Sequence, residues 1–210
     1  MFEYLKPYSH IIVSGMQRSG TTIASRMIQY DLEIPYCYWV GNNLEVITDY
    51  YQGGQGVYHA PGLSHLLHGF KDTAHANFAV IWMKRDIEEI VESAYKAKWD
   101  PTADIGNYPF FMNGIPDGTE LDYTTMVRLL AQAKINFWET QKPLTETYFE
   151  VEYESLKDHP LWLDDRPWKK WSRATSPGTL PKDGEVTSEG YTDFKKPLSE
   201  LLEEFPKDSL

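Results

Sequence analysis

The chain has a single cysteine, Cys37, in 210 residues, so no intramolecular disulfide can staple it, and this composition suits a reducing compartment. Positive charge is scarce. Twenty Lys and Arg stand against 31 Asp and Glu, a net charge of −11, which removes any global electrostatic case for nucleic acid or an anionic membrane as partner. No apolar run approaches the ~20 residues of a membrane-crossing helix, and no internal repeat shows. The opening MFEYLKPYSH has neither the basic region nor the apolar run of a secretory signal, so the expectation is a soluble, cytoplasmic protein. What is present, 41% hydrophobic and 14% aromatic residues, suits one α/β domain over 1–210 with a sizeable core. An anionic ligand would need a local basic pocket in such a chain.

Residues 11–32, IIVSGMQRSGTTIASRMIQYDL, are the most informative stretch. A β-branched run (Ile11, Ile12, Val13) passes through a loop bounded by Gly15 and Gly20 into a segment whose Ile23, Ala24, Met27 and Ile28 share a helical face. This reads as strand, phosphate loop and helix, with the N–H groups of Ser19, Gly20, Thr21 and Thr22 expected to face an anion. Against the pattern GxxxxGK[ST], the glycine spacing and Thr22 fit, but Thr21 stands where the lysine should be and the cation is Arg18. An ATP-using loop needs that lysine and Mg²⁺ to neutralise a polyphosphate; a donor with less charge at the transferring group can manage with one arginine and the loop amides. The stretch by itself also fits a degenerate nucleotide loop or a glycine-rich turn.

Further along, 34–40 (IPYCYWV) reads as a second strand. The glycine- and tyrosine-rich 41–73 reads as an acceptor-side connection or a surface loop, with a short amphipathic piece at 63–70. His65 and His68, with His59 and His75, have no acidic or cysteine partner that completes a metal site, and none is expected. Residues 78–84 (FAVIWMK) form a near-continuous apolar run, as a parallel strand covered on both faces would. Arg85 closes that run, Asp86 can cap the helix that follows, and Ile87, Ile90, Val91 and Ala94 make its core stripe, with Ser93 eight positions after Arg85. Residues 99–122 read as a lid or acceptor-binding loop, 124–141 as a helix with Val127, Leu130, Ala131, Ile135 and Trp138 near one face, and 147–152 as a strand running into Tyr153, Glu154, Ser155 and Leu156. Residues 161–190 show no clear periodicity, and DFKKPLSELLEEF near the end reads as an amphipathic packing helix.

RSGTT after a buried strand resembles the 5′-phosphosulfate loop of sulfotransferases that use 3′-phosphoadenosine 5′-phosphosulfate (PAPS), in the variant where arginine replaces lysine. Arg85 and Ser93 are similar to that family's 3′-phosphate site, and YESL with Pro160 resembles its YExL…P signature. The resemblance implies a three-layer α/β sandwich on a parallel sheet of about five strands, like a P-loop NTPase. It implies sulfuryl transfer from PAPS to a hydroxyl or amine of a small-molecule or glycan acceptor, with no metal. In this picture Arg18, Ser19, Gly20, Thr21 and Thr22 hold the 5′-phosphosulfate, Arg85 and Ser93 the 3′-phosphate, and Tyr153 sits beside the nucleotide. Arg18 also stabilises the bridging oxygen, and the base is His59 or, as in relatives with the RSGTT loop, Glu45. The family's C-terminal RKGxxG segment has no counterpart here; Lys169, Lys170 and Arg173 are the basic residues in its place. Golgi members carry a membrane anchor that this sequence does not show. Two rival classes stay open: a P-loop kinase of a small metabolite, which the missing lysine argues against, and a non-catalytic nucleotide-binding relative.

Overall fold

The computed structural model describes residues 1–34, 36–37, 56–65, 67, 77–101, 104, 119–163 and 195–197. Strand β1 (His10–Gly15) is buried along its whole length and forms the centre of a five-stranded sheet. Its neighbours are β3 (Gly56–His59) and β4 (Phe78–Lys84), with β2 (Tyr36–Cys37) and β6 (Tyr148–Glu152) at the edges, in the order β2-β3-β1-β4-β6. All four pairings are parallel, so every connection crosses over the sheet and both faces must be covered.

Alternation along the strands decides which layer each side chain joins. Ile11, Val13, Val57, Ala79, Ile81 and Met83 point to one face, where α1 (Thr21–Leu32) covers them with Ala24, Met27 and Ile28. Ile12, Tyr58, Val80 and Trp82 point to the other, where α3 (Tyr123–Gln141) lays Trp138 flat on Trp82 with ring centroids 4.6 Å apart. Helix α2 (Ile87–Ala97) packs Ile90, Val91 and Ala94 against Met126, Val127, Leu130 and Ala131 of α3. Helix, sheet and helix pair make the three-layer α/β sandwich that the strand and helix periods imply.

The caps follow the sequence too. Asp86 accepts from the Glu88 and Glu89 amides at 2.9 and 3.2 Å, and Asp122 caps α3 through the Thr125 amide at 2.9 Å. The Thr124 hydroxyl and the Thr125 amide pull the Asp122 carboxyl down to about 2.

Three expectations need correction. Residues 56–59, read as part of a connection or surface loop, are the buried strand β3 paired with β1. Glu120–Asp122 is a strand, β5, and not the end of a loop; Lys195–Pro197 is a strand, β7, and not the start of a terminal helix. The two pair antiparallel, Glu120 opposite Pro197 and Asp122 opposite Lys195, so a long-range partner satisfies backbone groups that three residues of either segment could not satisfy alone. The rest of the expected terminal helix, residues 38–55 and 68–76, residues 105–118 of the expected lid or acceptor-binding loop, and the basic cluster Lys169, Lys170 and Arg173 lie outside the described residues. After β6 the chain turns through a 3₁₀ helix, Tyr153–Asp158, into the short helix α4 (Pro160–Leu163).

Candidate functional site

The loop between β1 and α1 is shaped by three residues with positive φ: Gly15 at 140°, Arg18 at 70° and Gly20 at 95°. A Cβ on Gly15 would lie 2.8 Å from the Met83 carbonyl oxygen, so the loop can leave β1 this close to β4 only as glycine. The turn closes on Met16, whose carbonyl oxygen accepts the Ser19 amide at 3.1 Å and the Ser19 hydroxyl at 2.5 Å. Ser19 is therefore fully buried and its N–H is engaged within the turn, contrary to the expectation that this amide faces an anion. The amides of Thr21, Thr22 and Ile23 open α1 ahead of the first helical bond, from the Ala24 amide to the Gly20 carbonyl oxygen at 3.0 Å, and carry the helix's positive dipole end.

A cleft of about 450 Å³ opens at this helix start. Its walls bring together Arg18, Gly20, Thr21, Thr22, Arg85, Ser93 and Tyr153, all anticipated from the sequence, with Ile23, Arg26 and Trp162, which were not. Arg18 Nε donates to Ser93 Oγ at 3.3 Å, linking the phosphate loop to α2. Arg85 Nη1 donates to the Arg18 carbonyl oxygen at 2.8 Å, and its Nε to Glu89 Oε2 at 3.0 Å. Its guanidinium lies 4.0 Å from the Tyr153 ring centroid. That ring in turn presses on Gly20, where an added Cβ would fall 2.4 Å from Tyr153 Cδ2. Loop glycine, aromatic ring and guanidinium thus form successive layers of one wall. Desolvation and then the neighbouring Arg85 charge lower the Arg18 pKa from the ordinary arginine value, as expected where two cations share a cleft.

Arg26 was hidden because α1 was read for its apolar stripe. Thr22 at the cleft puts residue 26, one turn on, on the same face, and that spacing was the available signal. Arg26 is buried, with Nη1 3.2 Å from Gln29 Oε1. Trp162 sits on α4 and meets Tyr153 edge-on at 5.5 Å between centroids; nothing in the local pattern marked it.

His59 ends β3 beneath the helix start. Its Nε2 lies 2.9 Å from Thr21 Oγ1 and 3.2 Å from Thr22 Oγ1, and the ring is only 6% exposed. The imidazole does not line the cleft, whereas both threonines whose hydroxyls it meets do. Glu45, the other residue considered as a base, lies outside the described residues, as do His68 and His75. Among the described residues no group of three or more His, Cys, Asp or Glu is placed to hold a metal ion, and no helix is long and apolar enough to cross a membrane.

No family model matches the chain, and no curated protein matches it. Among solved structures it is similar to shikimate kinase from Acinetobacter baumannii in complex with shikimate, over 78% of this chain and 96% of that one, with 11% identity and a TM-score of 0.45. A likeness of that extent carries no argument about activity.

Proposed function

We propose that this chain is a sulfotransferase that moves a sulfuryl group from PAPS to a hydroxyl or amine of a small-molecule or glycan acceptor. The observation that supports this most is the joining of Arg18, Arg85 and Ser93 in one cleft at the start of α1, with threonine and not lysine at position 21. Two arginines that share one cleft suit a donor that carries more than one anionic group. The helix-start amides and the Thr21 and Thr22 hydroxyls would take the 5′-phosphosulfate, and the Arg85 fork with Ser93 the 3′-phosphate.

In the transfer, the acceptor oxygen or nitrogen forms a bond to sulfur while the bond from sulfur to the bridging phosphate oxygen breaks. The leaving group is 3′-phosphoadenosine 5′-phosphate (PAP). Arg18 stabilises the charge that grows on the bridging oxygen. The proton leaves the acceptor, and in this reading His59 would receive it through whichever of the Thr21 and Thr22 hydroxyls, at 2.9 and 3.2 Å from Nε2, does not hold the phosphosulfate. Glu45 is the other proposed acceptor of that proton. No step here needs a metal.

A P-loop kinase of a small metabolite would share the strand, loop and helix frame. Its polyphosphate donor would have to be neutralised without a lysine at position 21. A thermal-shift panel of PAP, AMP and Mg·ATP separates the readings, since a ligand at 100 times its Kd adds about 2.7 kcal/mol. PAP should stabilise most. A larger shift with Mg·ATP than with PAP overturns the sulfotransferase reading in favour of the kinase. PAP binding without turnover on a broad acceptor panel would leave a nucleotide-binding relative.

A further inference from the structure

Lys134 stands in the middle of α3, in a helix face otherwise made of Leu130, Ala131 and Trp138, with no exposure at all. Its Nζ donates to Asp104 Oδ2 at 2.5 Å, to the Pro61 carbonyl oxygen at 3.4 Å, and to Gln17 Oε1. Burial lowers the lysine's pKa, and the Asp104 charge opposes that shift. A buried ion pair is weak ground for stability, because apolar residues of the same volume often do as well. What the ammonium does here that an apolar side chain could not is hold together the phosphate loop, the turn after β3 and the stretch after α2.

Gln17 is the member of that set nearest the cleft. It precedes Arg18, whose φ of 70° is unfavourable for a residue with a Cβ and has to be maintained from outside. On the far side of Arg18 the holder is Arg85, through the Arg18 carbonyl oxygen at 2.8 Å. On the near side it is Gln17, gripped by Lys134. We infer that Lys134 is a positioning residue of the phosphate loop, acting through the Gln17 side chain to keep Arg18 in the backbone conformation that presents its guanidinium to a bound phosphate group. This rests on the reading that the loop binds the donor's phosphate.

The test is a double-mutant cycle between Gln17→Leu and Arg18→Ala, read by calorimetric affinity for PAP together with the melting temperature. Lys134→Met alone strands the Asp104 carboxylate and risks misfolding, whereas Gln17→Leu leaves the ion pair intact. The expected result is a loss of about tenfold in PAP affinity for Gln17→Leu, with a melting temperature lowered alike in both Arg18 backgrounds because the buried ammonium loses one acceptor, and no further loss of affinity when Arg18 is already alanine. A purely structural role would not make the second effect depend on the first. Wild-type affinity in Gln17→Leu overturns the inference, and so does an equal loss in both backgrounds. If the wild-type protein prefers Mg·ATP, the donor assignment fails and the same cycle is run with Mg·ATP. If it binds neither nucleotide, the phosphate-loop reading and this inference fall together.

Discussion

Replacing Arg85 with alanine removes a guanidinium that has five N–H donors. One of them, on Nε, goes to Glu89, and one on Nη1 goes to the Arg18 carbonyl oxygen, which leaves three for a ligand in the cleft. The guanidinium carbon lies 4.0 Å over the centre of the Tyr153 ring, and with the bonds to Glu89 and Arg18 this holds the fork in place before anything binds. A charge-assisted hydrogen bond to phosphate contributes about 1.5–3 kcal/mol, and PAP should therefore weaken by roughly 10- to 150-fold through the lost 3′-phosphate contact. Loss of the bond to Arg18 loosens the loop by about 1 kcal/mol, and that cost falls on every ligand equally. AMP, which lacks the 3′-phosphate, measures this common part. The assay is calorimetry at fixed ionic strength with PAP and AMP on the wild-type protein, Arg85→Ala and Arg85→Lys. The wild type should prefer PAP by about tenfold or more, Arg85→Ala should lose most of that preference, and Arg85→Lys should recover only part because it restores charge without the fork. A PAP to AMP ratio that is the same in wild type and Arg85→Ala would refute the 3′-phosphate assignment.

Arg18→Ala should lower the transfer rate by roughly two orders of magnitude or more with little change in melting temperature, because the side chain faces the cleft and not the core; normal turnover would remove Arg18 from the mechanism. Gly20→Ala should destabilise by roughly 2–5 kcal/mol, combining a positive φ with overpacking on Tyr153. Urea denaturation showing a loss below about 0.5 kcal/mol would mean that the ring is not pinned against the loop. Asp122→Ala should cost about 1 kcal/mol as a lost helix cap. Its carboxyl is held down to about 2, so the stabilisation it gives is complete above its unfolded value near 3.9 and disappears as pH falls through about 2. Acid denaturation of Asp122→Ala should accordingly have a shallower pH dependence across that window, and an unchanged slope would count against the cap.

Linear signals were enough for much of this molecule. Residues 78–84 were read with the bounds that β4 has, because six apolar residues in a row before Lys84 leave little else to be, and Asp86 announced the start of α2. Arg18, Thr21, Thr22, Arg85 and Ser93 could be gathered from sequence because a parallel sheet brings the carboxyl ends of its strands to one edge, so the order of motifs maps onto proximity. Lys134 was beyond that method. A stripe of apolar positions on α3 places a lysine between them on the outside by default, and only its acceptors at 17, 61 and 104 show that it points in. The β5 and β7 pairing was equally hidden, since three-residue strands carry no period. Ser19 shows the opposite limit. Its place in the loop can be read from the motif, but which loop amides stay available depends on how the turn closes, and that is set by φ angles that the letters do not fix.

The Lys134 contact also has a consequence in time. Gln17 and Lys134 are 117 residues apart, so at ~5–20 residues per second a ribosome takes roughly 6–23 s to add the lysine after the glutamine has been made. The Arg85 contact to Arg18 spans 67 residues and arrives in between. During that interval β1 has neither its phosphate loop clamped nor the Trp138 that covers Ile12 and Trp82, and its apolar face stands open to other chains. Nascent chains arrested before α3 should therefore bind no nucleotide and recruit chaperones, and nucleotide binding should be gained only once Tyr153 and Trp162, which wall the cleft, have followed the helix out of the exit tunnel.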